Sequence, residues 1–496
     1  MVSPELADSI VQVVGERNVL AGSAQRQSYA ADALKKGALP DLVVLPASTS
    51  EVAGVAGLCH ATRTPLVARG AGTGQTGGCV PVRGGIVLSL ERMNRILEID
   101  ADNLLAVTEP HVRIGDLQAA VERLGLFYPP DPASLMDSVI GGNLAENAGG
   151  PRAFKYGTTS HYVLGLEVVL ATGEVLRTGS KAVKNVVGYD LTRLIVGSEG
   201  TLAIITQAVL RLVPLPPCRA TVRVDFEGAE AAVRALNDLL RARVVPATIE
   251  LIDAESLAAV SAYVGGELAP AGVGAVLLIE VDGHAPSVAE EAHRVERVCR
   301  ESGAIDVVRA ADSDERERLW RLRRELSPAL KAISERKLNN DVVVPRARVP
   351  QLLELVGRLR REHGLRIACF GHAGDGNIHV NVMLEPSDPT AAERGERAVR
   401  ELFEGVVSLE GSISGEHGIG FSKARFLSLE LGPGEIALMK RVKQAFDPHG
   451  VLNPGKIFPE SDRPITGRRG PGPSAGPPVS GLRRGRSSAG RAPDRD

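Results

Sequence analysis

No apolar run in the 496-residue sequence approaches the ~20 residues needed to span a bilayer. An ordinary transmembrane helix is therefore not expected. Cysteine is sparse and scattered, at positions 59, 79, 218, 299 and 369. The number is odd and no CxxC pair occurs, which argues against a disulfide framework or a cluster held by cysteines of this chain. Positive charge is not in excess either. Net charge is −2 and the body of the chain has no basic stripe, so no nucleic-acid partner is expected. Residues 1–18, MVSPELADSIVQVVGERN, carry early acids and lack a basic stretch followed by an apolar core. They read as an amphipathic helix rather than a signal peptide. The expected location is the cytoplasm, or the inner face of the membrane if a partner holds the protein there.

What remains is ordinary globular composition, 44% hydrophobic and 24% charged, in a chain too long for one core. Two or three domains are expected. Asp41–Pro46 and Leu66–Arg69 read as strands, with Thr49-Ser50-Glu51 capping a helix over Val52–Ala61. Arg69–Gly78, RGAGTGQTGG, follows. It formally contains GxGxxG at Gly72, Gly74 and Gly77, but Pro81 and Gly84 stand where a Rossmann helix would start. A tight loop whose free N–H groups form a nest for a pyrophosphate fits better. Two more loop-rich stretches follow, Pro129–Ser134 with Ile140–Gly150, and Gly197–Gly200 before a strand. One extended ligand touching all of them is the economical explanation; separate structural turns are the alternative. Strands and helices alternate over 218–458, an α+β pattern with helices expected on one side of an antiparallel sheet. They include a helix over 313–332 and a strand over 341–345. Residues 459–496 are rich in Pro, Gly and Arg and poor in large apolar residues. A disordered tail is expected there.

The most informative stretch is 365–384, LRIACFGHAGDGNIHVNVML. Asp375-Gly376 between two β-rich runs signals a hairpin. A two-residue loop there would set Gly374 opposite Asn377, Ala373 opposite Ile378, and His372 opposite His379. Directly opposed residues share a face. His372, His379 and Asn381 would then lie on one polar face, with Ile378, Val380 and Val382 on the other. Two imidazoles so placed can share a metal ion, and Glu416 in the loop GSISGEHGIG can add a third ligand. A polar sheet face with solvated histidines is the competing explanation.

Taken in order, RGAGTGQTGG, PPDPAS, IGGNLAENAGG, KNVVGYDL and GSEGTLAIIT resemble the FAD-binding domain of the vanillyl-alcohol oxidase/p-cresol methylhydroxylase superfamily. HAGDGNIHVN, SGEHGIG and FDPHGVLNPGK look like the C-terminal half of its glycolate oxidase flavin subunit, D-lactate dehydrogenase and D-2-hydroxyglutarate dehydrogenase branch. The resemblance spans roughly residues 40–458. It implies an α+β protein. A lead-in (1–40) precedes a two-lobed FAD-binding domain (41–215). A ferredoxin-like substrate or cap domain with the C-terminal oxidase segment follows (216–458). It also implies cofactor contacts from Arg69, Gly70, Ala71, Gly72, Thr73 and Gly74 at the pyrophosphate. Asp131, Ser134, Gly141, Gly142, Asn143, Asn147 and Gly157 would flank the cofactor, with Glu199, Gly200, Ile204 and Asn453. Thr73 stands near the place where some members attach FAD through His, so FAD is expected to be non-covalent.

The implied reaction is oxidation of a 2-hydroxy acid. A cation must hold the carboxylate, something must weaken the hydroxyl proton, and flavin takes the hydride. A divalent metal on His372, His379 and Glu416 would serve the second need. Zn²⁺ is favoured, and Mn²⁺ or Fe²⁺ also suit such ligands. His417 is the expected general base and substrate contact. Asn381 is a second substrate contact. Arg323, three residues after the only Trp (Trp320), matches the family's carboxylate-binding Arg. The hydroxyglutarate branch has a Lys two residues before the Asp that is Asp341 here. Asn339 stands at that position, with Lys337 off register, so glycolate or D-lactate is favoured. D-2-hydroxyglutarate is the nearest alternative substrate. A same-fold FAD oxidase with other chemistry and a catalytically silent flavin subunit are the remaining readings. Expected partners are the substrate and an electron acceptor (a quinone, a cytochrome or a separate iron–sulfur subunit), with a homodimer as an option.

Overall fold

The computed structural model describes residues 2–265, 272–334 and 336–459. The expected disordered tail, beyond Pro459, lies outside them. The first part of the chain builds two sheets. In the first, strands β1 (Val19–Leu20), β2 (Leu42–Val44), β3 (Leu66–Arg69) and β4 (Ile86–Ser89) take the order β1-β2-β4-β3. β4 runs parallel to both neighbours, and β2 and β4 are buried along their whole length. Uninterrupted Val/Leu/Ile runs suit strands covered on both faces. Helix Thr49–Thr62 packs on this sheet. Its N-cap is Ser48, one residue earlier than expected, accepting from Glu51 N at 3.3 Å, while Glu51 Oε2 accepts from Ala47 N at 2.8 Å.

The second sheet is antiparallel, with β5 (Ile96–Asp100), β6 (Leu105–Thr108), β7 (Val163–Val169), β8 (Val175–Gly179) and β9 (Ile204–Arg211) in the order β5-β6-β9-β7-β8. Between β6 and β7 the chain forms helix Ile114–Glu122 and a short helix at Ile140–Glu146. Sequence alone suggested loop for the latter, because paired glycines disfavour helix. Tertiary packing overrides them: Ile140 and Leu144 are fully buried.

A seven-stranded antiparallel sheet follows. Its strands are β10 (Cys218–Phe226), β11 (Thr248–Asp253), β12 (Ala275–Gly283), β13 (Asp306–Arg309), β14 (Lys337–Val343), β15 (Ile367–His372) and β16 (Asn377–Met383), in the order β13-β10-β12-β11-β15-β16-β14. Helices cover both faces, not one as expected. Those at 229–241, 285–301, 349–363 and 391–408 pack over Val224, Ile249, Leu277, Ile367 and Val380. Those at 254–264 and 326–333 pack over Ile252, Val276, Ala368 and Phe370. The expected helix 313–332 is two helices, Ser313–Arg324 and Leu326–Ile333. The expected strand at 341–345 begins earlier, at Lys337. On the second face the remaining inward residues are polar, and there the sheet meets the first part of the chain: Asn339 donates to Gln75 at 2.6 Å and Tyr156 to Asp282 at 2.7 Å.

After helix Pro433–Phe446 the chain returns to the first sheet. Leu452 bridges Leu66, and Asn453 donates from Nδ2 to the carbonyls of Gly78 (2.8 Å) and Glu199 (2.7 Å).

Candidate active site

A cleft of about 1410 Å³, counted to its open mouth, runs between the first two sheets and ends at the loop bearing Glu416 and His417. Arg69 to Gln75, Ser134, Gly141 to Asn143, Glu199, Gly200 and Ile204 line it. Among the described residues the N–H groups of Ala71 to Gln75 donate no hydrogen bond within the chain. These residues are half-buried or exposed, so their N–H groups are open to a ligand in the cleft. Asn143 Nδ2 is buried and, among the described residues, has no hydrogen-bond partner. Gly70 sits so close to helix 140–146 that a Cβ would meet Val139 Cγ2 at 2.8 Å. A row of free donors on a glycine loop, facing a long cleft, fits a dinucleotide with a pyrophosphate.

Four residues expected at the cofactor do not line the cleft. Asp131 is 3.3 Å from Arg152, and burial raises its carboxyl to about 6 against the pull of Arg152. Asn147 closes helix 140–146 at φ 52° and accepts from Ser160 N at 2.9 Å. Gly157 supplies a φ of 86° after a short helix. Asn453 stands behind the wall, tying its two sides together. Each holds the shape of the cleft, because its polar atoms or its backbone conformation are already committed. The Arg69 side chain is likewise folded inward, donating to Cys79 Sγ at 3.1 Å.

The hairpin forms, but its register differs from expectation. His372 pairs with Asn377, and His379 with Phe370. The loop is therefore Ala373–Gly376, four residues rather than two. The shift is even, so every side chain keeps its face. His372 and His379 become diagonal neighbours, with ring centroids 5.3 Å apart. Glu416 comes between them, with Oε2 3.7 Å from His372 Nε2 and Oε1 3.6 Å from His379 Nε2. His417 stacks on His379 at 5.6 Å, with Nε2 3.5 Å from Glu416 Oε1. Two sets of side chains converge closely enough to hold a cation, His372–His379–Glu416 and Asp341–His379–His417.

Two carboxylates that the sequence did not reveal orient these groups. Glu250 on β11 accepts from His372 Nδ1 at 2.5 Å, which directs Nε2 toward Glu416. Asp341 on β14 lies 3.8 Å from both His379 Nδ1 and His417 Nδ1. Its Oδ2 also accepts the backbone N–H groups of Gly415 (2.9 Å), Glu416 (2.8 Å) and His417 (3.0 Å). Lys423 closes the base of the loop, donating to the carbonyls of Asp341 (3.0 Å) and Ile413 (2.8 Å).

Electrostatics follow from this packing. Burial pushes His379 down to about 3, against the pull of Glu416, so it is a neutral imidazole with a free lone pair. Burial also disfavours the His372 imidazolium, yet Glu250 and Glu416 outweigh it and hold the group well above its ordinary value. Burial would raise Glu416, but the neighbouring His372 outweighs it and, with His379 and His417, brings it to about 2. Burial likewise opposes ionisation of Asp341; His417, Lys423 and His379 hold it well below the usual carboxylate range.

Arg323 is buried, its Nε bonded to Glu250 and its guanidinium 4.8 Å above the Phe370 ring. Both Nη groups have no hydrogen-bond partner among the described residues. Asn381 is fully buried beside the cluster. Its Nδ2 donates to His379 O at 3.2 Å, and its Oδ1 has no partner among the described residues. Neither Arg323 nor Asn381 lines the large cleft; Glu416 and His417 do, and so connect cleft and cluster.

Comparison with known proteins agrees with both halves of this geometry. Residues 40–179 match the FAD binding domain model, and residues 215–457 the C-terminal domain model of FAD linked oxidases. The chain is 41% identical over 464 residues to the glycolate oxidase subunit GlcD of Bacillus subtilis, covering 93% of this chain and 98% of that protein. It is 34% identical over 465 residues to a D-lactate dehydrogenase of Anaerostipes hadrus, covering 92% and 98%. Among solved structures, p-cresol methylhydroxylase with substrate bound superposes with a TM-score of 0.78 at 20% identity, covering 92% and 96%. The fold is that of the vanillyl-alcohol oxidase/p-cresol methylhydroxylase group, and the chain belongs to the family of FAD-linked oxidases, as an FAD-dependent oxidoreductase.

Proposed function

We propose that the chain oxidises a small D-2-hydroxy acid, glycolate or D-lactate, to the 2-keto acid. The observation that carries this is the position of the 415–420 loop, which presents Glu416 and His417 to the long cleft and to the His372–His379 pair at once. FAD, held non-covalently along Arg69–Gly74 and Gly141–Asn143, supplies the hydride acceptor. His372, His379 and Glu416 would hold a divalent cation, zinc by preference, which would supply Lewis acidity toward the substrate hydroxyl. His417, at the inner end of the cleft, takes the hydroxyl proton. The free Nη groups of Arg323 take the carboxylate, with Glu250 holding the guanidinium in place. Asn381 hydrogen-bonds the substrate from the same sheet face, its Oδ1 being the atom left to accept. The names of the similar proteins, a glycolate oxidase subunit and a D-lactate dehydrogenase, support this substrate class. The word subunit in the first of these names supports a companion protein; the electron acceptor is a quinone, a cytochrome or a separate iron–sulfur subunit.

An anaerobic absorbance titration of the purified protein tests this. D-lactate, L-lactate, glycolate and D-2-hydroxyglutarate are added in turn, before and after EDTA. Bleaching of the oxidised-flavin band by one acid, abolished by EDTA, is the expected result. A flavin band that no acid bleaches would leave the silent-subunit reading standing.

A further inference from the structure

Glu146 stands on the wall of the cleft, between Gly78 and Gly418, and neither the glycine loop nor the histidine cluster accounts for it. It is the last residue of helix Ile140–Glu146 and faces the cleft. A Cβ built on Gly78 would come 2.7 Å from its Oε1, and one on Gly418 would come 2.2 Å from its Oε2 and 2.8 Å from Glu199 Oε1. Two carboxyl groups therefore converge on Gly418, one residue from His417.

Their hydrogen bonding is unequal. Glu199 accepts the N–H of Ile419 and of Gly420, each at 2.7 Å. Glu146 Oε2 is buried and has no hydrogen-bond partner among the described residues. Two such acids cannot both ionise at little cost, and the one with backbone donors is the better anion. The proton thus rests on Glu146. Burial, followed by Glu199 and Asp32, raises that carboxyl well above its ordinary value, with Lys423 opposing. Cys79 and Lys456 also face this corner, and Arg69, Glu416 and His417 line the same cleft.

We propose that Glu146 is a cofactor-binding residue, an undissociated acid that donates its O–H to an acceptor atom of the ring system bound at the His417 end of the cleft. The chemistry it would recognise is a carbonyl oxygen or ring nitrogen, which a flavin carries and a phosphate does not. The proposal rests on the assignment of the cleft to FAD.

The test is equilibrium binding of FAD to flavin-stripped protein, read by flavin fluorescence across a pH series, for the natural protein, Glu146→Gln and Glu146→Ala. With the natural protein, binding is expected to weaken about tenfold or more as rising pH ionises Glu146, since an anion cannot donate. Glu146→Gln keeps a neutral donor, so its affinity should stay within about threefold of the natural protein at neutral pH and lose the pH dependence. Glu146→Ala should bind about tenfold or more weakly at every pH. If the Gln variant keeps the natural pH profile, the proposal is overturned even if the Ala variant fails to fold. If the natural protein binds no FAD, the cofactor assignment fails and takes this inference with it.

Discussion

The carboxylate of Asp341 accepts the backbone N–H of His417 at 3.0 Å while standing 3.8 Å from the ring of the same residue. A strand of the seven-stranded sheet thereby sets both the path of the 415–420 loop and the aim of its histidine. The same oxygen takes the N–H groups of Gly415 and Glu416, and Oδ1 accepts from Asn377 Nδ2 at 2.6 Å. Asp341→Asn removes the charge and places an amide donor among donors. We expect a loss of about 2–4 kcal/mol in metal-free protein at pH 7, measured by urea unfolding. The folded pKa of Asp341 is depressed, so its contribution is present above the unfolded value of about 3.9 and is lost as pH falls through the folded one. The difference between the two proteins should shrink below about pH 4. Equal stability at pH 7 would show that the loop holds its shape without this anchor.

Metal content is the second measurement. If the proposed cation is held there, His372→Ala and His379→Ala should each lower zinc affinity by more than the ~10–100-fold that loss of a ligand's outer partner causes. Dialysis against EDTA should stop substrate-driven flavin reduction, and Zn²⁺, Mn²⁺ or Fe²⁺ should restore it. Full activity in exhaustively chelated protein would remove the metal from the proposed mechanism.

Arg323→Lys tests the carboxylate contact. Lys keeps the charge but not the planar fork that bonds Glu250 and leaves two Nη groups free. KM for the hydroxy acid should rise about 10–100-fold, the equivalent of roughly 1.5–3 kcal/mol for a charged hydrogen bond. Unchanged KM with lowered stability would mean that Arg323 serves only Glu250.

Lys337 has no hydrogen-bond or ion-pair partner among the described residues, and burial, reinforced by Lys331, pushes it down to about 8. A lysine with a depressed folded pKa destabilises the protein while it is charged, and this penalty fades as pH rises from about 8 toward 10.4. Lys337→Met should therefore stabilise the protein by up to about 3 kcal/mol at pH 7. Chemical denaturation at pH 7 and above pH 10 should show the gain at the first and little of it at the second. Lower stability of the Met variant at pH 7 would mean that the ammonium finds a counter-charge in solution.

The glycine loop and the hairpin were readable because their signals are local. Free N–H groups at 71–75 follow from an irregular glycine-rich loop, which has no helix or strand partners for its backbone, and alternation along β16 places His379 on the polar face whatever the turn length. The four-residue turn was not readable. Gly371 holds φ 155°, and a Cβ there would meet the Asn377 carbonyl at 2.5 Å, so the strand tightens before Asp375-Gly376 is reached. Glu250 and Asp341 were invisible as site residues for a different reason. Each is an acid on a buried stretch of an interior or edge strand, separated from its histidines by 122 and by 38 or 76 residues.

By itself the amino-acid sequence determined the glycine-lined cleft, the alternating strand that carries His379 and Asn381, and the loop with Glu416 and His417. All three depend on backbone freedom and side-chain period, which act over a few residues. Only the tertiary structure decided which oxygen orients which imidazole, that Arg323 is braced by Glu250, and that Glu146 and Glu199 meet at Gly418. Those relations join distant segments in a poorly solvated interior, where charge and hydrogen bonding are set by what the fold brings within a few ångströms.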